Sequence, residues 1–215
     1  MIPDSLRAFA ERNAHTGAAA RIWIEQRGTM TLKPGGSWKA FTAEQWMDES
    51  SVAFAWHARV KMAPLLTAVV EDAYESGSGR LDVKLWGRLR IAHEEGPAID
   101  QGEAQRYLAE IPWNPGAILH NGALRYEERS RGVRVWTGER ECHVDLELDA
   151  ACDVVRASSR TRVYGERGPT PWEGVFDEYV ELGGMRVPKR ASVAWILPEG
   201  RYEYWRGEIT SLRIE

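Results

Sequence analysis

Arg106, Tyr107, Glu110, Trp113, Asn114 and His120 fall within one stretch, Asp100 to Asn121 (DQGEAQRYLAEIPWNPGAILHN), and they are residue types from which small-molecule sites are built. Glu103, Arg106 and Glu110 follow an i, i+3, i+7 spacing, which puts all three on one face of a helix. If that face meets water, it is an ion-pair ladder. If it looks into a cavity, Glu110 is partly desolvated, its pKa rises, and it becomes a candidate general acid or base. His120 is its candidate partner across a helix–loop–helix corner, although His120 and Asn121 equally suit the C-terminal end of a helix. Arg106, Tyr107, Trp113 and Asn114 are then candidate ligand contacts.

A second candidate lies upstream. In Glu71-Asp72-x-Tyr74, Asp72 and Tyr74 share a strand face with Ala68 and Val70. A carboxylate on an apolar face must be paired or functional. Asp72 is therefore either an acid/base group or substrate anchor, with Tyr74 beside it, or half of a buried pair that fixes strand register. Arg160 and Arg162, two apart on a later strand, are its candidate partners. The chain has 10 tryptophans, each with a large apolar body and an indole N–H that needs a partner. They fill a core or, like Trp56, line a ligand cavity. Neither an HExxH nor a paired CxxC occurs, and His143-x-Asp145 is too small a set for zinc, so no metal site is expected. Gly77-x-Gly79 reads as a hairpin turn and not a phosphate cradle, no GxSxG is present, and no cofactor is expected.

The elements that must position these groups read as two strand blocks around one helical insert. Pro3 to Asn13 predicts a short helix with Leu6, Phe9 and Ala10 on one face. Residues 20 to 94 alternate apolar and polar with turn residues at short intervals, the strand signature. Ile22, Ile24 and Gln26 share a face, PGG at 34–36 and GSG at 77–79 read as turns, and 80–95 reads as one strand with Leu81, Val83 and Leu85 together. Asp100 with Glu103 reads as a capping box. Pro112 ends that helix, Pro115 opens a second, and Asn121–Gly122 closes it. Strands resume at Leu124 and run to the end, with 153–165 read as one of them. About a dozen strands must curl, close or split to bury one face.

The length of 215 residues suits one domain, expected over 1–215. Net charge is -4, and Lys and Arg are scattered, so the sequence shows neither a nucleic-acid footprint nor a membrane-surface patch. No window is long and apolar enough for a membrane span. The N-terminal MIPDSLRAFAERNAH lacks the apolar core of a secretory leader. Cys142 and Cys152 fall too far apart to bridge if 149–152 is a turn, and Cys142 is expected to point inward. These features predict a cytoplasmic setting.

Several pieces, in order along nearly the whole chain, resemble an uncharacterised family of bacterial domains of unknown function: GTMTLKPGGSWKAFTAEQ (28–45), FAWHARV (54–60), EDAYESGSGRLDVKLWG (71–87), RYLAEIPWNPGAIL (106–119), SSRTRVYG, PWEGVFDEYVELGGMRVP and the late Trp195. Tyr107-x-x-Glu110-x-x-Trp113-x-Pro115 is the most specific. The strand–helix–strand order is also similar to the bacterial lipoprotein-carrier fold, which implies a curved, incompletely closed antiparallel barrel plugged by helices over an apolar cavity. Fold alone implies no function.

The resulting expectation is a mainly β half-barrel with a central helix–loop–helix plug and an N-terminal helix, binding an apolar or amphipathic small molecule. A cofactor-independent hydrolase, lyase or cyclase using Glu110 or Asp72 with His120 is the alternative. A structural or interaction module, its cavity filled by tryptophan, is the third.

Overall fold

The computed structural model describes all of residues 1–215. A first helix, α1 (Asp4–Asn13), follows Pro3 and buries Leu6, Phe9 and Ala10 as expected. Six strands come next: β1 (Arg21–Met30), β2 (Lys39–Asp48), β3 (Phe54–Ala63), β4 (Leu66–Glu75), β5 (Ser78–Leu85) and β6 (Leu89–Glu95). The helical insert is α2 (Pro97–Ala109), a 3-10 turn over Ile111–Trp113, and α3 (Gly116–His120). Seven further strands complete the chain: β7 (Arg125–Arg129), β8 (Gly132–Trp136), β9 (His143–Leu148), β10 (Val154–Ser159), β11 (Trp172–Leu182), β12 (Met185–Leu197) and β13 (Gly200–Ile214).

All thirteen strands form one antiparallel sheet in the order β6-β5-β4-β3-β2-β1-β13-β12-β11-β10-β9-β8-β7. Every neighbour is a sequence neighbour except the central pair, where β1 lies against β13 with Ile22 opposite Ile214. The edges β6 and β7 are not hydrogen-bonded to each other, so the curved barrel is incompletely closed. The helical insert is the only link between these two edges, so it has to cross the concave face, and its apolar side plugs the sheet there. Tyr107, Leu108 and Ile111 are fully buried in one core cluster with Ile22, Ile24, Met47 and Phe54. Burial alternates along the inner strands, with Phe41, Ala43, Gln45 and Met47 inward on β2. Fully burying one large apolar side chain contributes roughly 1.5–3 kcal/mol, and this shared core fixes both the curl and the seat of the helices.

Four local expectations need correction. The helix starts at Pro97, not Asp100: proline at the first position is preorganised for the helix, and Gly96 before it takes a φ of 110°. Asp100 consequently caps nothing in its own helix and instead accepts the Gly79 N–H at 2.7 Å. The 77–79 turn is really the two-residue pair Ser76–Gly77, with φ of 53° and 86°. Gly79 does something else, since a Cβ there would lie 2.8 Å from the Ile99 carbonyl oxygen, so only glycine lets α2 approach β5 so closely. The 80–95 run is a hairpin, broken by Trp86 and Gly87 at φ of 50° and 69°. The strand expected over 153–165 stops at Ser159, and an irregular segment with a short 3-10 turn at Gly165–Arg167 follows.

Candidate functional site

Between α2 and the concave sheet lies a cavity of about 380 Å³. Its walls are apolar: Met30, Val60, Met62, Val70, Val83 and Phe176 line it, with Trp56, Trp113, Trp172 and Trp205. Five charged side chains also line it, namely Asp72 from β4, Glu103 and Arg106 from α2, Glu110 at the C-terminal cap of α2, and Arg162 from the segment after β10. The helix face of uncertain direction thus looks inward.

The charged groups form a connected network. Arg106 donates through Nη1 to Asp72 Oδ2 at 2.5 Å and through Nε to Glu110 Oε1 at 2.9 Å. Gln45 Nε2 donates to the other oxygen of Glu110. Gln26 Nε2 reaches Gln45 Oε1 at 3.4 Å, and Trp56 Nε1 donates to Gln26 Oε1 at 2.8 Å. A single chain of polar contacts therefore runs from β3 through β1, β2 and α2 to β4. The Arg106 guanidinium also lies over Trp56 at 5.0 Å and Phe54 at 5.1 Å, within cation–π range. Arg162 stands apart from this chain. It donates to the Gly102 carbonyl at 2.5 Å, lies over the Trp172 ring at 5.0 Å, and makes no ion pair.

Glu103 is the odd member. It is 8% exposed, and its Oε2 has no hydrogen-bond partner. Burial, then the negative charge of Asp72, pushes its carboxyl up to about 7. Charge balance agrees: three carboxylates against two guanidiniums leave one negative charge, and one proton on Glu103 cancels it. Burial also raises Asp72, against the opposing pull of Arg106. Burial alone would weaken the Arg106 cation, but Glu110, Asp72 and Glu103 outweigh it and hold the proton more tightly. No three His, Cys, Asp or Glu side chains converge to hold a metal ion.

The structure thus brings Asp72, Arg106, Glu110, Trp113, Trp56 and Arg162 to the cavity and leaves four other candidates outside it. His120 is exposed at the end of α3 and makes no contact with Glu110, whose oxygens are taken by Arg106 and Gln45. Tyr74 packs against the core without lining the cavity. Tyr107 and Asn114 are buried and act on the backbone: the Tyr107 hydroxyl donates to the Asp48 carbonyl at 2.7 Å, Asn114 Nδ2 to the same oxygen at 3.1 Å, and Asn121 Nδ2 to the Tyr107 hydroxyl at 3.2 Å. They hold the helical insert to the end of β2. Asp72 meets Arg106 directly, with Arg162 close enough to act on it through charge, while Arg160 is exposed. Replacing Tyr107 with Phe should cost about 1–3 kcal/mol, because a buried donor on Asn121 loses its acceptor. Urea unfolding of the two proteins measures the loss.

Gln26, Gln45, Glu103, Trp172 and Tyr204 were not among the sequence candidates. The two glutamines carried a readable signal, each a polar residue on an otherwise apolar inward face (Ile22-Ile24-Gln26 and Phe41-Ala43-Gln45-Met47). Tyr204, which accepts the Trp172 indole N–H at 3.0 Å, carried none, since its partner is 32 residues away.

Solved structures share this architecture. A LolA superfamily protein from Nitrosomonas europaea superposes with a TM-score of 0.54 and 11% identity, covering 100% of this chain and 94% of its own. A DUF1329 family protein from Desulfovibrio piger gives a TM-score of 0.53 and 7% identity, covering 99% and 91%. The fold is therefore LolA-like. The chain itself belongs to the family of unknown function DUF6920, whose pattern matches residues 6–213. No curated protein matches its sequence. No helix is long and apolar enough to cross a membrane.

Proposed function

We propose that this protein binds an amphipathic small molecule, with the apolar part along the sheet and the polar part against α2. The observation that carries the reading is the layout of the cavity. Asp72 lies six residues along β4 from Leu66, roughly 20 Å at about 3.4 Å per residue, and the wall between is Ala68 and Val70. Apolar pockets with a few placed polar groups are the usual form of small-molecule sites. Arg162, which forms no ion pair, and protonated Glu103 with its unpartnered oxygen supply donors for an ester, amide or acid head group. The Asp72–Arg106–Glu110 network holds the helix in place behind them. The half-barrel shared with the LolA superfamily protein supports the same reading, and the two free cysteines suit a reducing compartment.

Native mass spectrometry of protein purified without detergent should show a bound amphiphile. A long-chain fatty acid should displace a fluorescent naphthalene probe from the emptied protein. Val70→Trp, which fills the cavity wall, should abolish that displacement. A protein that carries nothing and binds neither probe nor fatty acid has no such function. Acid–base catalysis is a second reading, favoured by one observation: Glu103 sits in the cavity with a pKa of about 7, where a carboxyl exchanges protons at neutral pH. On that reading Glu103, and not His120, partners Asp72 or Glu110.

A further inference from the structure

The open end of the half-barrel has a surface that cavity binding does not account for. Three connections meet there: 31–38 between β1 and β2, 64–65 between β3 and β4, and 86–88 between β5 and β6. Large apolar side chains of these connections and of the adjoining start of β6 are exposed. Leu32, Leu65, Trp86, Leu89 and Ile91 are between 54% and 92% exposed. Trp86 Nε1 donates to the Leu65 carbonyl at 3.1 Å, which joins two of the three connections into one face. Leu32 and Ile91 also line the cavity, so this face is continuous with its mouth. Trp86 is held at the tip with a φ of 50°, a conformation that disfavours bulky residues.

The charges around these side chains have one sign. Lys33, Lys61, Lys84 and Arg88 surround them and make no ion pair, whereas Arg90 is neutralised by Asp82 at 2.9 Å. The segments 31–39, 61–66 and 84–90 contain no Asp or Glu at all, in a chain whose net charge is -4. In the sequence these cations are scattered, which hid the patch; antiparallel hairpins return each of them to the same end. Exposed Trp and Leu ringed by unpaired Lys and Arg are the chemistry of a lipid interface, apolar groups entering the acyl boundary and cations meeting phosphate.

We propose that this rim docks on an anionic bilayer, with Leu65 and Trp86 inserted and Lys33, Lys61, Lys84 and Arg88 at the head-group phosphates. Docking would place the cavity mouth against the phase in which amphiphiles reside, but it does not depend on what the cavity holds. The full chain should cosediment with vesicles of phosphatidylcholine and phosphatidylglycerol and not with phosphatidylcholine alone, and added salt should weaken the association. Replacing Lys61 or Lys84 with Gln should lower partition about fivefold each. Leu65→Ser with Trp86→Ser should lower it at least about tenfold, with the urea midpoint checked to confirm folding. The cavity-filling Val70→Trp should leave partition unchanged, which separates this test from that of ligand binding. Absence from both vesicle types, equal partition to both, or full partition of the Leu65/Trp86 variant would overturn the proposal. Retention on polyglutamate without vesicle binding would assign the rim to an acidic protein and overturn it as well.

Discussion

Arg106→Met should lower stability by about 3–5 kcal/mol at neutral pH, the range for removing one partner of a buried ion pair. The guanidinium joins Asp72 to Glu110 and rests on two aromatic rings. Without it three carboxylates share the cavity with Arg162 alone. Methionine keeps the apolar stem, so the loss reports the charge and its hydrogen bonds more than packing. Two controls follow from the same physics. The deficit should shrink in acid, as Asp72, whose carboxyl burial raises, takes up its proton and the guanidinium has less charge to balance. A double variant with Asp72→Leu should recover part of it, because an apolar replacement of a buried pair is often neutral or better. Urea unfolding across pH measures all three proteins. A deficit below about 1 kcal/mol would mean that the cluster behaves as a hydrated surface ladder.

Glu103→Gln should reverse the usual sign and stabilise the protein above neutrality. The Glu103 carboxyl is raised from 4.5 to about 7 on folding, so the native state holds a proton that the unfolded chain releases between those values. Stability from this group is complete below about pH 4.5 and is lost as pH rises through about 7. Glutamine mimics the protonated acid and has nothing to lose. The two proteins should therefore match in acid and differ by about 3–4 kcal/mol above pH 8, the free energy that corresponds to a carboxyl raised from 4.5 to about 7. Unfolding curves at pH 4.5, 6 and 8 give the difference directly, and a constant difference at all three would refute a raised Glu103. The same variant separates the two functional readings. A binding protein should keep or gain affinity at pH 8, where glutamine still donates a hydrogen bond, whereas an enzyme that moves a proton through Glu103 should lose turnover.

The strand blocks, the position of the helical insert and the inward faces of β1 and β2 were legible because period-2 alternation and proline placement are local signals. Ile22, Ile24 and Gln26 could be assigned to one side without knowing any partner strand. The hairpin at Trp86–Gly87 was not legible, since a tryptophan with positive φ is not a turn residue by type. For the site, spacing alone put Glu103, Arg106 and Glu110 on one face and marked Asp72 as needing a partner. Which way the face pointed depended on β6 and β7 being the sheet edges, a fact of topology that no window of sequence contains. Tyr107 and Asn114 looked like ligand contacts because hydrogen-bonding residues that hold backbone and those that hold ligands are the same types. Arg162 was assigned to a strand that ends three residues before it, and its approach to the cavity comes from that early stop.

The seam between β1 and β13 bears on how the molecule is made. Arg21 and Glu215 exchange backbone hydrogen bonds at 2.8 and 2.9 Å, so the two ends of the sheet-forming chain close on each other at the middle of the sheet. Every other strand pair can form as soon as its hairpin is synthesised, but this one waits for β13. Until then β1 has one open edge, with Ile22 and Ile24 beside it, and such an edge invites pairing with another chain. Contacts of this sequence separation are slow to form. The sheet should therefore be completed only once β13 has been made, and loss of β13 should leave an aggregating species instead of a smaller folded one.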